Sequence, residues 1–411
     1  MNNSSRLHFP KPYARPGEKP DFSRMQLSDA GVVEKPPIQA DPGDIEYLSR
    51  QMVRVLDPEG TAVGPWTPKI EPERLIAALR HMQLSRAIDK RMWQSHRQGG
   101  ITFYMQSVGE EAVSVGQGLA LHPNDMCFPS YRNLGLFLLR GTRIEDIMCQ
   151  CLSNTGDMCK GRQMPVMYHN RKANIFSISG NLATQYPQAV GWAMAAAIKG
   201  ETNIAATWIG DGATAEGDFH YALTFASVYQ VPVVLNVVNN QWAISTPQAV
   251  AGGERRPFAA RGASFGIPGI RVDGNDLLAV YSVSKWAVDR ARGGLGPTLI
   301  ELVTYRGGAH SSSDDPSKYR PKEEWSCFPL GDPIDRLASH LMALGVWSSG
   351  DHDQLVQEVK SEVSVAWKEA QKLGTLNDGP QLDPVTMFDD VYERIPQHLV
   401  EQRNQLLKLD V

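Results

Sequence analysis

Residues that could bind a metal ion occur in two short segments near the middle of the chain. The triplet Gly210-Asp211-Gly212 ends one apolar run, and Asn239-Asn240 ends the next. A carboxylate and an amide oxygen are hard ligands, too few for calcium but suited to magnesium, which completes its octahedral shell with phosphate oxygens. Glycines let a ligand approach the backbone closely. The two segments therefore predict a magnesium–diphosphate site.

The residues between these segments predict the elements that position them. The apolar runs at 204–209 and 233–238 have the character of buried strands, and a helical period separates them before Pro232. A right-handed crossover brings the carboxyl ends of both strands to one edge, where open α/β sheets bind ligands. Gly-Asp-Gly alone is a common turn. An asparagine on the second strand, Asn240, makes the pattern much more specific.

The sequence from Gly210 to Thr246 resembles the thiamine diphosphate motif of transketolase-like and 2-oxo acid dehydrogenase enzymes. The string GDGATAEGDFHYALTFASVYQVPVVLNVVNNQWAIST is similar to the alpha subunit of a 2-oxo acid dehydrogenase's decarboxylating component. The resemblance implies an α/β thiamine-diphosphate-binding fold, with a mostly parallel central sheet and helices on both faces. It implies that Asp211, Asn240 and the backbone carbonyl of Trp242 hold Mg²⁺.

The same resemblance implies further cofactor contacts. Tyr131 and Arg132 would contact the diphosphate, although an arginine at a strand end can also be a solvated charge. The remaining implied cofactor residues are Ser179, Leu182, Gly210, Gly212, Ala213 and His310, with Leu182 as an apolar prop under the bent cofactor. Ser179, Thr184 and Gln185 match a K⁺ site of branched-chain relatives, but Asn181 stands where those relatives tend to have proline.

His310 is the candidate catalytic residue. It lies in a Gly- and Ser-rich loop that could be an ordinary mobile surface loop, but it stands between Arg306 and Arg320, a setting suited to an acidic substrate. The resemblance implies that the loop covers the cofactor and that His310 handles proton transfers for substrate and lipoyl group. Ser311 matches a regulatory phosphorylation site of mitochondrial relatives, and we expect no kinase to use it here.

No catalytic role is predicted for the other histidines considered, which are His220, His340, His352 and His398. The resemblance also implies a glutamate that activates the aminopyrimidine, and in two-chain members that residue belongs to the beta subunit. Glu110 and Glu111 are expected to begin a packed helix instead. The chain is therefore predicted to be incomplete alone and to assemble as two alpha and two beta chains.

Four strings indicate the subtype: KGRQMPVMYH, LATQYPQAVG, AHSSSDDPSKYR and MFDDVYERIP. They resemble branched-chain 2-oxo acid dehydrogenases, which implies substrates derived from valine, leucine and isoleucine and transfer of the acyl group to a lipoyl-bearing acyltransferase. Phe103 matches a wall of the substrate pocket, with plain core packing as the alternative. Two alternative functions stay open. The chain could be the alpha subunit of a pyruvate or acetoin dehydrogenase, or a catalytically silent binding or scaffolding protein that kept the fold.

Composition excludes several classes of protein. A net charge of −4 gives no electrostatic case for nucleic acid, and no apolar run reaches the roughly 18 residues of a membrane helix. Five cysteines without a CxxC pair indicate free thiols in a reducing compartment. The sequence contains no G-x-G-x-x-G that follows a strand and has an acidic residue about 20 positions later, which argues against a nicotinamide-binding domain. The Pro-rich first 45 residues resemble neither a signal nor a transit peptide, which favours a bacterial cytoplasm.

Three regions are predicted. Residues 1–70 form an extended arm with a short hairpin, residues 71–330 the cofactor-binding α/β domain, and residues 331–411 a helical region that packs on the core and on subunits. Outside the central unit, the pattern predicts helices at 71–98, 277–292, 334–344 and 355–373, a helix from residue 109, an Ala-rich helix at 191–200, and a strand at 298–305.

Overall fold

A parallel six-stranded sheet forms the centre of the molecule. The computed structural model describes residues 7–409, so the predictions for residues 1–6, 410 and 411 lie outside it. The strands of the large sheet and of a small antiparallel ribbon are β1 (Met52–Val53), β2 (Met126–Phe128), β3 (Ala205–Gly210), β4 (Val233–Asn239), β5 (Trp242–Ala243), β6 (Thr246–Pro247), β7 (Gly269–Asp273) and β8 (Thr298–Val303). The large sheet has the order β1-β7-β8-β4-β3-β2, and β5 pairs with β6.

The central strands are buried and mostly apolar because both faces of the sheet are covered, and the polar side chains of Asn236 and Glu301 within them are hydrogen-bonded. In β3, Ala206 and Trp208 enter one hydrophobic core, while Ala205 and Ile209 enter the other. This is the two-residue alternation of a strand. The strands β3 and β4 are parallel neighbours. The predicted strand–helix–strand unit is therefore confirmed.

Helices cover both faces, which confirms the predicted fold class. The α-helices of the described chain are α1 (Pro72–Arg97), α2 (Glu111–Ala120), α3 (Leu134–Leu139), α4 (Ile144–Leu152), α5 (Gln185–Ile198), α6 (Gly217–Val228), α7 (Leu277–Arg292), α8 (Pro333–Ala343), α9 (Ser349–Lys372) and α10 (Gln397–Leu406). Helices α5 and α6 line one face, and α1, α2 and α7 build the larger core on the other. No helix within residues 7–409 combines the length and apolar character needed to cross a bilayer.

Helix α5 begins at Gln185 and not at residue 191, and helix α9 begins at Ser349 and not at residue 355, so both start earlier than predicted. After Asp211 the chain makes one 3₁₀ turn (Gly212–Ala215) before α6, because the Thr214 N–H and hydroxyl both donate to the Asp211 carbonyl, at 3.2 and 2.6 Å. Helix α9 begins before its apolar period does. Ser348 and Asp351 form a capping box there, which stabilises a polar first turn.

The described part of the N-terminal arm lies on the chain's own body. The Phe22 ring packs edge-on against Phe328 and Tyr305, with centroids 5.5 and 6.4 Å apart. Further along, Val63 donates its N–H to the Val55 carbonyl at 2.9 Å, which closes the predicted hairpin. Before that turn, β1 pairs with β7 and becomes an edge strand of the central sheet.

The C-terminal region is helical, as expected. Helices α8 and α9 pack on α1, and α9 also packs on α4. Helix α10 buries no side chain within the described chain. The predicted site residues are therefore positioned by the central sheet and its helices, and not by the C-terminal region.

Gly109 gives a stability prediction. It has φ +98°, and a Cβ there would lie 2.0 Å from the Tyr305 carbonyl oxygen. We expect Gly109→Ala to lower the free energy of unfolding by roughly 2–5 kcal/mol, through left-handed backbone strain plus overpacking. Denaturant unfolding of the purified chain measures this. Gly99→Ala is the matched control, since Gly99 has φ +74° and open space around its Cβ position. An equal loss of unfolding free energy in both variants would contradict the expected clash between a Cβ at position 109 and the Tyr305 carbonyl.

Candidate active site

The carboxyl ends of β2, β3, β4 and β8 open into one cavity of about 330 Å³. Every residue predicted to bind thiamine diphosphate or Mg²⁺, His310 included, lines this cavity, whereas Thr184 of the predicted K⁺ site does not. Phe103 does not line it. The sequence thus located one common site from segments that are far apart in the chain.

Asp211 is buried, and its charge is only partly compensated, by backbone N–H groups and by Arg306. It is 1% exposed, and its Oδ2 has no hydrogen-bond partner among the described residues. Burial raises the pKa of this carboxyl to about 7. Because a buried carboxylate without a partner is costly, this arrangement fits a carboxylate that binds a cation.

Asn240 is oriented by Glu110. The Asn240 amide nitrogen donates to Glu110 Oε1 at 2.6 Å, which turns the amide oxygen the other way. That oxygen accepts only a long bond, 3.3 Å, from the Trp242 N–H. The Trp242 carbonyl accepts from Arg306 Nη1 at 2.9 Å and retains a second lone pair. The donor set predicted for Mg²⁺ is therefore assembled and has free acceptor capacity.

The two glycines beside Asp211 serve different purposes. A Cβ at Gly212 would lie 2.3 Å from the Ala243 Cβ, so this glycine lets two strand-end loops pack together. A Cβ at Gly210 would meet nothing within 4 Å, because this backbone faces the cavity. A ligand can therefore approach the Gly210 backbone closely.

Arg132 anchors the His310 loop. Its Nη2 donates to the His310 carbonyl at 2.6 Å and to His310 Nδ1 at 3.1 Å, and its Nη1 donates to the Gln106 carbonyl. Its Nε lies 3.9 Å from Glu110 Oε1. The Nε–H and one Nη1–H have no hydrogen bond among the described residues. They are the groups available for the predicted diphosphate contact.

His310 is neutral, and its tautomer follows from its partners. Arginines only donate, and both Arg132 and Arg306 point an N–H at His310 Nδ1, at 3.1 and 3.5 Å. Nδ1 is therefore the acceptor and Nε2 carries the proton. Burial and the two guanidinium groups lower the pKa of His310 to about 3. A neutral imidazole in the cavity wall can donate from Nε2 and exchange a proton there.

The His310 loop is held in place by the chain itself. Asp314 accepts from the His310 N–H at 2.8 Å and from the Tyr319 hydroxyl at 2.6 Å. Ser312 donates its N–H to the Tyr104 carbonyl at 2.8 Å. Phe103 lies beside this contact, half-buried against the larger core. Its predicted role in the substrate pocket stays a prediction.

Sequence reasoning missed several supporting residues. Glu110 was expected only to begin a helix, and Arg306 appeared only as a charge near His310. Asp314 and Tyr319 were not singled out. Glu110 and Asn240 are 130 positions apart, and no local pattern joins them. The Gly-Glu-Glu string at the start of α2 was the one local pattern that drew attention to Glu110.

The thiamine side of the cavity contains Ser179 and Leu182. Ser179 Oγ accepts from the Asn181 N–H at 3.1 Å, and Gln185 Oε1 is buried without a partner among the described residues. Leu182 is 51% exposed, and Ile244 and Val250 beside it are 54% and 55% exposed. Three large apolar side chains are therefore exposed at the cavity mouth.

Comparison with known proteins gives one consistent family. Residues 79–377 match the family described as "Dehydrogenase E1 component", and residues 3–43 match "2-oxoisovalerate dehydrogenase E1 alpha subunit N terminal". The chain is 56% identical to the 2-oxoisovalerate dehydrogenase subunit alpha of Pseudomonas aeruginosa, over 98% of each chain. It is 34% identical to the mitochondrial subunit alpha of Homo sapiens, over 99% of this chain and 93% of the relative. The chain therefore belongs to the family of dehydrogenase E1 components.

Proposed function

We propose that this chain is the alpha subunit of a branched-chain 2-oxo acid dehydrogenase, a thiamine diphosphate-dependent oxidoreductase. The observation that carries the chemistry is the buried, unpartnered Oδ2 of Asp211 and the oriented Asn240 amide, in the cavity that His310 also lines. The substrate class follows from the printed names of the relatives, of which one is 56% identical over nearly the whole chain. Residues 71–330 act as the cofactor-binding domain, and the flanking regions support it.

Asp211, Asn240 and the Trp242 carbonyl would hold Mg²⁺, and the metal would hold the diphosphate. The Gly210 backbone, Ala213 and the free N–H groups of Arg132 lie where they can bind the phosphates. Bound thiamine diphosphate supplies the nucleophilic carbon and the electron sink for decarboxylation. Leu182 would support the bent cofactor. A potassium ion at Ser179, Thr184 and Gln185 is a further expectation, supported by the unpartnered Gln185 Oε1.

His310 would position the substrate and move a proton at Nε2. With Nδ1 occupied by two arginines, Nε2–H is the group that faces the reaction. It can donate to a 2-oxo acid oxygen and later give a proton to the sulfur that is released when the disulfide of the incoming lipoyl group opens. Arg132 and Asp314 fix the histidine and its loop, so that the ring needs no reorganisation during the reaction.

The enzyme works with a beta subunit and with the other components of the complex. We propose two alpha and two beta chains, with acyl transfer to a lipoyl-bearing acyltransferase. The exposed Leu182, Ile244 and Val250 at the cavity mouth support a covering partner. Glu110 is engaged with Asn240, so the carboxyl that activates the aminopyrimidine belongs to the partner in this proposal. A bacterial cytoplasmic location stays a prediction.

A substrate panel tests the assignment. The chain, co-expressed with its beta subunit, is assayed with Mg²⁺, thiamine diphosphate and an electron acceptor against three branched-chain 2-oxo acids, pyruvate and acetoin. We expect the branched-chain acids to have kcat/KM values at least about tenfold above pyruvate, since one or two methylene groups in an apolar pocket give discrimination of this order. A preference for pyruvate or acetoin would favour the corresponding dehydrogenase instead.

A further inference from the structure

A buried carboxylate with no assigned role lies behind the proposed metal site. Glu324 is fully buried, and neither of its carboxylate oxygens has a hydrogen-bond partner among the described residues. The Trp242 indole nitrogen is buried without a partner as well. The carboxyl lies beside this indole and beside the Tyr305 hydroxyl. A buried acceptor and a buried donor of complementary chemistry thus lie next to each other, and Glu324 itself does not line the cavity.

The loop that contains Trp242 has a strained backbone. We call residues 240–246 the metal loop. Within it Gln241 has φ +74° and Ile244 has φ +55°, left-handed values that side-chain-bearing residues adopt at a cost. A loop of this kind keeps its shape only when its surroundings determine it. The position of the Trp242 carbonyl therefore depends on what holds the loop.

The cavity side of the loop is held by Arg306, which donates to the carbonyls of Trp242 and Ile244 at 2.9 and 2.8 Å. The rear is held through the Trp242 ring, which packs in the apolar cluster around Tyr305. Tyr319 packs on the same ring at a centroid distance of 5.1 Å. A polar anchor for the indole N–H would complete the rear support.

Charge also favours a carboxylate at this position. Arg320 donates to the Tyr305 hydroxyl at 3.1 Å and to the Arg306 carbonyl at 2.7 Å. It therefore brings a buried positive charge close to a second arginine. Glu324 is a carboxylate that both guanidinium groups act on. It offsets their charge behind the loop, as Asp314 does on the other side.

We propose that Glu324 is a positioning residue for the metal: it anchors the Trp242 indole from behind and thereby sets the Trp242 carbonyl as a metal ligand. This inference rests on the proposed function, because it assumes that the Trp242 carbonyl binds Mg²⁺. It adds a residue that lies outside the cavity and touches neither cofactor nor substrate.

The test measures metal affinity in Glu324→Gln, which keeps the shape and removes the charge. The chain, assembled with its beta subunit, is titrated with Mg²⁺ at fixed thiamine diphosphate, and binding is followed by calorimetry. We expect the half-saturating Mg²⁺ concentration to rise about 10- to 100-fold, as for other residues that orient metal ligands. Amide hydrogen exchange of the metal loop, measured without metal, should become faster. The kcat at saturating Mg²⁺ should fall much less than the metal affinity.

A matched control separates positioning from plain stability. Asp125 is also a fully buried carboxylate, but it bonds Arg292 at 2.7 Å at the opposite edge of the sheet. Asp125→Asn should lower the melting temperature and leave the Mg²⁺ requirement unchanged. If Glu324→Gln behaves in the same way, the proposed role of Glu324 is wrong. If the unmodified protein binds cofactor without any Mg²⁺ dependence, the metal site itself is wrong, which is a separate failure.

A second variant keeps the test decisive if Glu324→Gln does not fold. Trp242→Phe retains an aromatic ring in the apolar cluster and removes only the indole N–H and part of the ring. We expect it to raise the Mg²⁺ requirement in the same direction. When both variants fold, the double variant should raise the Mg²⁺ requirement by less than the product of the two single effects. Both substitutions remove the same interaction, so their effects are not independent. An unchanged requirement in Trp242→Phe would overturn the proposal.

Discussion

Asp211→Asn removes Mg²⁺-dependent binding of thiamine diphosphate, with an expected loss of affinity on the order of 100-fold or more. The substitution keeps the shape of the side chain and deletes the charge that the metal needs. Asp211 Oδ2 has no hydrogen-bond partner among the described residues, which leaves this oxygen available to a metal ion. Calorimetric titration of the assembled protein with cofactor, with and without Mg²⁺, measures the loss.

Stability provides the control for this variant. Since burial disfavours the charged form of Asp211 and its Oδ2 has no hydrogen-bond partner among the described residues, its neutralisation should leave the melting temperature of the metal-free protein unchanged or higher. Asp218→Asn, in the first turn of α6, is the matched substitution in the same strand–helix–strand unit and should keep cofactor binding. Cofactor affinity that survives in Asp211→Asn would remove this residue from the metal site.

His310→Ala separates cofactor binding from catalysis. We expect thiamine diphosphate to bind within a few-fold of normal affinity, because His310 contributes no predicted metal or phosphate contact. Transfer of the acyl group to lipoyl should fall by about 10²- to 10⁴-fold, the usual contribution of a positioned proton-transfer group. Stopped-flow and steady-state assays with a lipoyl-bearing acceptor, beside calorimetry of cofactor binding, measure the two effects.

The comparison for this variant is His122→Ala. His122 is exposed beside the amino end of β2, on the sheet edge opposite the cavity, and should keep full activity. His310→Ala also leaves Arg132 without its Nδ1 acceptor, so some loosening of the loop is expected. A His310→Ala enzyme that transfers the acyl group at normal rate would show that this histidine takes no part in proton transfer. Lost cofactor binding would contradict the proposed role in proton transfer, because it would show that the main contribution of His310 is to hold the cofactor.

The sequence predicted the part of the site that local patterns determine. Asp211 and Asn240 follow apolar runs of strand length, and the handedness of a crossover helix then places both on one edge. Helices with an amphipathic period, such as α7, could be predicted with correct bounds for the same reason. Helix α3 was missed because all its residues but the last are buried, which leaves no periodic pattern to detect.

The remainder depends on contacts between distant segments. Glu110 orients Asn240 only because α2 packs near the end of β4, and Arg306 supports the metal loop only because the chain after β8 runs beside it. The role of Glu324 depends on the burial of its carboxyl beside a tryptophan 82 positions earlier. No spacing rule predicts such pairs. These pairs of residues are set by the tertiary packing around the carboxyl-end edge of the sheet.

The central claim is that thiamine diphosphate binds between this chain and a beta subunit. Calorimetric titration of thiamine diphosphate with Mg²⁺, into this chain alone and into the co-expressed pair, tests it most directly. We predict tight binding only in the pair, because in the proposed site this chain would supply the metal ligands while Leu182, Ile244 and Val250 stay exposed at the mouth. Equal affinity in the chain alone would mean that the site is complete within one chain, and it would contradict the claim.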